Sequence, residues 1–534
     1  MGIDDIRDPA EMATDTRVET GGLPGAQASR VPGLTILWHP EVRRIGERAP
    51  LGALDSGRAA DLSRLTPEFM HPGGGPRHAL EDSRLSRSPI RLIPGGRGLR
   101  LDPSESRTAL EVDGSSADGP SDISEAQLER GVVLLLGGRI ALLLHRIDQQ
   151  VVDHPSYGLV GESPGLGAVR TAIRQVADLD VTVLLRGATG TGKELVAKAI
   201  HDASPRATGP FVAVNMAAIP APLAAAELFG AAKGAFTGAD RSRSGYFQRA
   251  EGGTLFLDEI GETPPEIQAL LLRALETREI QSVGADHPRQ VDVRVLSATD
   301  LDLESAVDDE RFRGPLLYRL SSFVLRLPAL EERRGDFGRL LIHFLRSELE
   351  AIGEGYRLGA PCTWFPASLC AKLALADWRG NVRQLANVAR QLVIANRGFD
   401  KIQNLEPLDQ LTPAPAQGRR IGSDDSATAT ADKGARRHPG SRRPSDVRES
   451  ELIEALRRNR FRPQDTADEL GIRRASLYDL MDKCPGIRKA SDLGADEIRA
   501  SLDAHGHSVE RAAESLEVSA QALRRQLGKL GLSV

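Results

Sequence analysis

Along residues 31–148, short apolar runs (LTILW, PIRLI, GLRL, ALEV, VVLLLG and IALLLH) are separated by Gly, Pro, Asp and Ser. Apolar runs this short, broken by turn formers, predict the strands of an all-β sandwich. From residue 155 the pattern changes. VTVLLRG leads into GTGKELVAKAIHDAS, PFVAVNM follows, GTLFLDEI precedes PPEIQALLLRALET, and VDVRVLSATD closes the run, in a segment that extends to about residue 330. In PPEIQALLLRALET, Ile267, Leu270, Leu271, Ala274 and Leu275 recur at i, i+3, i+4, i+7 and i+8, which predicts one apolar helix face. Strands interleaved with helices imply a parallel sheet covered on both sides, an α/β unit over 155–330. Residues 331–400 read as helices without strands, a small lid-like bundle.

The flanks carry other patterns. Residues 1–30 are polar and aperiodic and read as a disordered leader. Residues 401–445 are rich in Pro, Ser, Thr, Ala and Gly, and 416–445 hold seven Lys or Arg against three Asp, the composition of a flexible basic linker. The tail is helical and repeats itself with a shift of 46 positions, dividing it into 446–488 and 489–534. Leu456 pairs with Leu502, Ala467 with Ala513, Leu470 with Leu516, Ile472 with Val518 and Leu477 with Leu523.

A chain of 534 residues exceeds one core, so these segments are separate domains. The net charge of −5, from 69 basic and 74 acidic residues, excludes a uniformly cationic nucleic-acid binder and leaves local basic segments. Three scattered cysteines, Cys362, Cys370 and Cys484, make neither a disulfide framework nor a CxxC metal site and read as apolar fillers. The acidic N-terminus lacks the features of a signal peptide, and no stretch approaches 18 uninterrupted apolar residues. A cytosolic protein is expected, with no membrane partner.

The chemistry centres on GATGTGK, Gly187 to Lys193, which directly follows the strand VTVLL and opens a helix. Glycines let backbone N–H groups approach phosphate oxygens, the helix N-terminus adds positive charge, and Lys193 reaches the β- and γ-phosphates. ATP is therefore the expected ligand of Gly187, Ala188, Thr189, Gly190, Thr191, Gly192 and Lys193. Glu194 stands where Ser or Thr usually touches Mg²⁺, so the metal must lean on another group. The strand TLFLDEI supplies one: Asp258 is the expected Mg²⁺ ligand and Glu259 the general base.

Together with GAFTGA, these residues resemble the AAA+ domain of the sigma-54-dependent transcriptional activators, the bacterial enhancer-binding proteins. The likeness covers roughly 155–400 and rests on GTGKELVAKAIH, ELFG..KGAFTGA, GGTLFLDEI and WRGNVRQL. It implies a ring-forming homo-oligomer, by family resemblance a hexamer, that uses ATP hydrolysis to remodel the closed complex of sigma-54 RNA polymerase into an open one. Within Gly234, Ala235, Phe236, Thr237, Gly238 and Ala239, it places Phe236 and Thr237 at the tip of a loop touching sigma-54. Asn215 corresponds to the residue that senses the γ-phosphate and restrains Glu259. Arg313 and Arg319 match the pair reaching a neighbouring subunit's nucleotide, and Arg383 matches the sensor II arginine. The chain departs from the family at Ala231 (commonly His), at Asp300 beside the nucleotide (usually Asn) and at Gly314-Pro315. An Asp near the γ-phosphate adds repulsion, so slower turnover is expected.

The two ends carry resemblances of their own. RIGE at 44–47, LSRSPI at 85–90 and LEVDG at 110–114 resemble a forkhead-associated (FHA) domain, whose loops read phosphothreonine. Ser86 and Arg87 match its Ser-Arg pair, Glu47 stands at the usual phosphate-binding Arg with Arg48 one step late, Pro89 replaces the usual His, and no Asn-Gly-Thr follows. Arg48, Ser86 and Arg87 are the candidate phosphopeptide residues; a sandwich used only for subunit or partner contact is the alternative. The tail resembles the Fis-type helix-turn-helix. Its first copy would present Arg473, Arg474, Ser476 and Tyr478 to upstream enhancer DNA, and its second Arg524, Arg525 and Lys529. Helical hairpins for dimerisation are the alternative. The whole reads as a multidomain chain: an FHA-like sandwich, an α/β AAA+ P-loop ATPase with an α-helical lid, and an all-α tandem helix-turn-helix tail. Competing functions are a DNA-binding regulator acting by occupancy with a vestigial ATPase, and a AAA+ remodeller of another substrate.

Overall fold

The computed structural model describes residues 30–96, 98–148, 155–235, 242–403 and 405, together with parts of 449–527. The chain divides into two units, Met1–Gly418 and Arg419–Val534. Phe236, Thr237, Gly238 and Ala239 lie outside the described residues, as do Arg473, Arg474, Ser476, Tyr478, Arg524, Arg525 and Lys529.

The first unit begins with the expected sandwich. Its elements are β1 (Arg30–Trp38), β2 (Arg48–Pro50), α1 (Gly52–Asp55), β3 (Ala60–Leu62), β4 (Ile90–Gly95), β5 (Gly98–Asp102), β6 (Leu110–Val112), β7 (Ser115–Ser116), β8 (Ser121–Ser124), α2 (Glu125–Arg130), β9 (Val132–Leu136) and β10 (Ile140–Asp148). Antiparallel pairing gives the order β2-β1-β10-β9-β6-β7 in one sheet and β3-β4-β5-β8 in the other. Leu34, Ile36, Leu92, Leu101, Leu134 and Leu142 meet in the core between the sheets. Strands of a two-layer sandwich should alternate buried and exposed positions. Here β9 and the first five residues of β10 are buried throughout, because the outer face of this sheet is covered as well.

The α/β body follows with α3 (Pro164–Val176), β11 (Val183–Arg186), α4 (Lys193–Asp202), β12 (Phe211–Asn215), α5 (Ala221–Phe229), α6 (Tyr246–Arg249), β13 (Thr254–Asp258), α7 (Pro265–Thr277), the short hairpin β14 (Glu279–Ile280) and β15 (Arg289–Gln290), β16 (Arg294–Thr299), α8 (Leu303–Asp308), α9 (Gly314–Leu320) and β17 (Phe323–Arg326). The parallel sheet runs β12-β13-β16-β11-β17, so the carboxyl ends of β13, β16 and β11 lie side by side. In open α/β sheets that edge is where ligands bind. The apolar face of α7 forms with one change. Leu270 is 44% exposed and Gln268 is buried in the face instead, its amide satisfied by three main-chain groups.

A 3₁₀ stretch, Leu330–Asp336, leads to the lid of α10 (Phe337–Ala351), α11 (Ala367–Ala374) and α12 (Asn381–Ala395). In the second unit, α13 (Glu449–Arg458), α14 (Ala495–Ala504) and α15 (Val509–Ser515) are described. The repeat appears there as two small cores. Leu456, Leu470 and Leu477 belong to one, and Leu502, Leu516 and Leu523, each 46 positions on, to the other. All three cysteines are buried, and none is in a disulfide. Among the described residues, no helix is long and apolar enough to cross a membrane.

Candidate functional site

The turn between β11 and α4 is a phosphate cradle. Gly190 (φ +75°) and Gly192 (φ +103°) adopt left-handed backbone that a side chain would strain, and Thr191 closes the turn through its hydroxyl to the Ala188 carbonyl at 2.8 Å. Lys193 is 7% exposed, and its ammonium donates to the Gly187 carbonyl at 3.0 Å, folded across the loop that would receive phosphate. Glu194 is exposed on α4.

Strand order delivers the acids. Asp258 ends β13, Asp300 follows β16, and Asn215 ends β12 in register with Asp258. Asp258 Oδ1 accepts the N–H of Glu259, and no other hydrogen bond to its carboxylate is described. Glu259 sits at φ +53°, so the chain turns sharply at the strand tip. Burial pushes the Glu259 carboxyl above the usual range, Asp300 and Asp258 add to the shift, and Lys193 opposes it. The Asp300 carboxylate is thus close enough to Glu259 to raise its pKa, which makes the unusual Asp a neighbour of the expected base.

The lid docks on the cradle. Arg383 N–H donates to the Gly190 carbonyl at 3.2 Å, Asn381 Nδ2 to the Thr189 carbonyl at 3.0 Å, and Arg333 to the Thr191 carbonyl at 3.3 Å. A Cβ at Gly190 would come 2.2 Å from the Gly380 carbonyl oxygen, so glycine is required there by close approach as well as by backbone angle. Beside the cradle, Val160, Leu327, Leu340, Phe344 and Val382 line a largely apolar cavity of about 110 Å³ with His343 at its wall, suited to a planar base. Sequence reading missed this cavity, because its walls come from four segments far apart in the chain.

Arg313 immediately precedes α9, and Arg319 lies in its last turn. Arg313 is exposed with no side-chain hydrogen bond or ion pair among the described residues, while Arg319 donates twice to the Leu275 carbonyl. The glycine-rich segment starts from a fixed base. Ala231 exchanges two backbone hydrogen bonds with Arg243 and is 4% exposed, which leaves no room for a larger side chain without displacement. Ala232 N–H donates to the Val283 carbonyl, and Ala235 packs on Gly284 in the β14–β15 connection. Gly234 takes φ +81°. The segment SVGADHP thus buttresses the Gly234–Ala235 stem, a role its Gly and Pro marked only as a turn.

At the sandwich, the candidate residues separate. Ser86 and Arg87 occupy the β3–β4 connection, with Arg87 exposed and the Ser86 hydroxyl accepting the Ser88 N–H. Arg48 lies on β2, where its guanidinium faces Asp336 and Glu162 of the ATPase body. The arginine beside Ser86 is Arg64, whose N–H donates to the Ser86 carbonyl at 3.2 Å. Glu47 is buried against Arg44 at 2.9 Å, and Arg64 lies two residues past the end of β3.

The model of the Sigma-54 interaction domain matches residues 159–326. The DNA-binding transcriptional regulator NtrC of Salmonella typhimurium is 38% identical over 352 residues, covering 65% of this chain and 72% of that protein. The Nif-specific regulatory protein of Bradyrhizobium diazoefficiens is 45% identical over 269 residues, covering 48% of this chain and 45% of that protein. Among solved structures, NtrX from Brucella abortus in complex with ADP is 29% identical with a TM-score of 0.43, covering 70% of each chain.

Proposed function

The chain belongs to the NtrC-type family of sigma-54 transcriptional regulators, and on that premise we propose an ATP-driven activator that converts the closed complex of sigma-54 RNA polymerase into an open one. The observation that carries the reading is one sheet edge: Asn215, the Asp258–Glu259 pair, Asp300 and the phosphate cradle end or follow the four neighbouring strands β12, β13, β16 and β11 of the same body that anchors the Gly234–Ala235 stem.

In this reading, ATP phosphates take the place of the Gly187 carbonyl as the partner of Lys193, and the base enters the cavity bounded by Val160, Leu327 and Phe344. Asp258, whose second oxygen has no described partner, would hold Mg²⁺, which supplies charge neutralisation on the phosphates. Glu259 must lose its proton to accept one from the attacking water. Asn215 senses the γ-phosphate and restrains Glu259. Arg313 and Arg319 reach the nucleotide of a neighbouring subunit in a homo-oligomeric ring, where such arginines contribute about 10³ to 10⁵ in rate. Exposure and the lack of partners at Arg313 suit that role. Arg383 reads the nucleotide from the lid, and Phe236 and Thr237 deliver the work to sigma-54.

The tail tethers the ring upstream through its paired helical cores, with Arg473, Arg474, Ser476 and Tyr478 in one copy and Arg524, Arg525 and Lys529 in the other facing DNA. The strand order of the sandwich and the Arg64–Ser86–Arg87 loop end support a forkhead-associated input that binds a phosphothreonine partner. The expected compartment is the cytosol.

The test is sigma-54 transcription in vitro. Phe236→Ala or Thr237→Ala should keep ATP turnover and lose open complexes. Transcription unchanged in both would remove the contact assignment, and wild-type turnover no faster than Lys193→Ala would favour a regulator acting by DNA occupancy alone.

A further inference from the structure

The lid and the sandwich share one core. Leu37, Trp38, Val133, Leu135, Ala141 and Leu143, on the outer face of the β1/β9/β10 sheet, pack in a single cluster with residues of α10, α11 and α12, and each is 3% exposed or less. Trp38 packs against Phe365 with ring centroids 4.5 Å apart and planes tilted by 39°. The contact is close enough to involve backbone. A Cβ at Gly338 would sit 2.3 Å from the Leu37 carbonyl oxygen, and the Cys362 N–H donates to the Pro40 carbonyl at 2.7 Å. Packing of this density resembles a domain interior more than the polar interfaces expected between tethered modules.

Helix α10 connects this joint to the nucleotide. Leu340, His343 and Phe344 line the cavity beside the cradle, while Phe337, Gly338 and Leu341 lie against the sandwich or its shared core. The segment before and into α10 reaches every neighbouring body within seven residues. Arg333 donates to Thr191 in the cradle, Arg334 to Gly131 in the sandwich and to Ala374 in the lid. Asp336 is fully buried, and its Oδ1 accepts the N–H groups of Glu162 and Ser163 where the chain enters α3; Arg339 pairs with Glu162 at 3.2 Å. Asp336 Oδ2 and Arg48 Nε, on facing elements, are both without a hydrogen-bond partner, which marks the spot where the sandwich meets this turn.

We propose that the sandwich and the lid are one rigid body hinged at Gly161–Ser163 and Asp336, so that the sandwich is a lever on the nucleotide cavity and not a tethered module. A ligand gripping the sandwich loops acts on lid position directly, and nucleotide closure moves the sandwich. The inference rests on the reading of Gly187–Lys193 as the nucleotide site.

Hydrogen exchange on the full-length protein, with and without a non-hydrolysable ATP analogue, tests both and separates them. Slowed exchange in the cradle and α4 reports nucleotide binding. The proposal expects peptides from β9 and β10 to slow together with α10 by about fivefold or more, the lower end of usual site-to-site coupling. Protection of α4 and α10 with β9 and β10 unchanged would overturn the rigid body; no protection of α4 would instead remove the nucleotide reading. Arg334→Gln, which loses the bonds to Gly131 and Ala374, should shrink the β9–β10 response below about twofold and leave that of α4 intact. An undiminished β9–β10 response in that variant would remove Arg334 from the joint.

Discussion

The side-chain oxygen of Gln268 accepts the main-chain N–H of Arg313 at 2.8 Å, and its amide nitrogen donates to the carbonyls of Thr263 and Arg311. A polar residue buried in the apolar face of α7 therefore fixes the start of α9, from which the exposed Arg313 projects. Gln268→Leu keeps the volume and orphans three backbone groups, each costing about 1–3 kcal/mol when buried without a partner. The variant should melt several degrees lower and, if Arg313 serves a neighbouring nucleotide, lose about tenfold in ATP turnover with ATP affinity retained. Calorimetry and steady-state turnover check it; full turnover in a folded variant would detach Gln268 from Arg313's role.

Asp300 should set the acid limb of turnover. Burial first, then Asp300 and Asp258, raise the Glu259 carboxyl above its ordinary range. A group whose folded pKa is raised contributes stability at low pH, and that contribution is lost as pH rises through the raised value. The same shift keeps part of Glu259 protonated just above the usual carboxylate range, where it cannot act as base. Asp300→Asn removes one of the like charges, so the acid limb of kcat should move to lower pH, and melting temperature should fall less between acid and neutral pH. An unmoved limb would mean that another group controls it.

How much of this was legible in the chain depends on distance along it. The runs PIRLI, GLRL and VVLLLG became β4, β5 and β9 because local apolar pattern and turn residues decide strands. GATGTGK was readable because its strand, glycines and helix are contiguous. The sandwich–lid joint was not read, although its signal was present: VVLLL and IALLL are apolar at every position, which a sandwich with a solvated outer face would not need. The placement of Arg64 was hidden for the opposite reason. LSR carries little pattern, and only the backbone bond from Arg64 to Ser86 shows that it lies beside that loop.

Asn381 should couple lid to cradle. It is 3% exposed at φ +50°; its Oδ1 accepts the Leu330 N–H at 2.8 Å and its Nδ2 donates to the Thr189 carbonyl at 3.0 Å. Asn tolerates the left-handed region better than most residues, and few others could also bridge these two groups. Asn381→Leu should weaken ATP binding by about tenfold, or 1.4 kcal/mol, and lower the melting temperature. Titration with nucleotide against a Lys193→Ala control measures it. Unchanged affinity would show that the lid's grip on Thr189 is structural only.

The sandwich offers a discriminating pair of arginines. Arg64 lies where the β3–β4 connection brings Ser86 and the exposed Arg87 together, and its guanidinium makes one contact, to the Ser83 carbonyl at 3.3 Å, that a phosphate could replace. Arg48 is engaged elsewhere: burial lowers its pKa, Asp336 and Glu162 hold its charge, and it lines a cavity with Ser163 and Arg333. If the sandwich binds phosphothreonine, Arg64→Ala should cost about tenfold or more in peptide affinity, the scale of one charge-assisted hydrogen bond. Arg48→Ala should leave peptide affinity unchanged and lower the melting temperature, since it strips a cation from two carboxylates at the hinge. Fluorescence anisotropy with phosphorylated and unphosphorylated peptides reads the first effect. Affinity lost in Arg48→Ala and kept in Arg64→Ala would move the site to β2, against the ATPase body, and would make peptide binding compete with the hinge contacts.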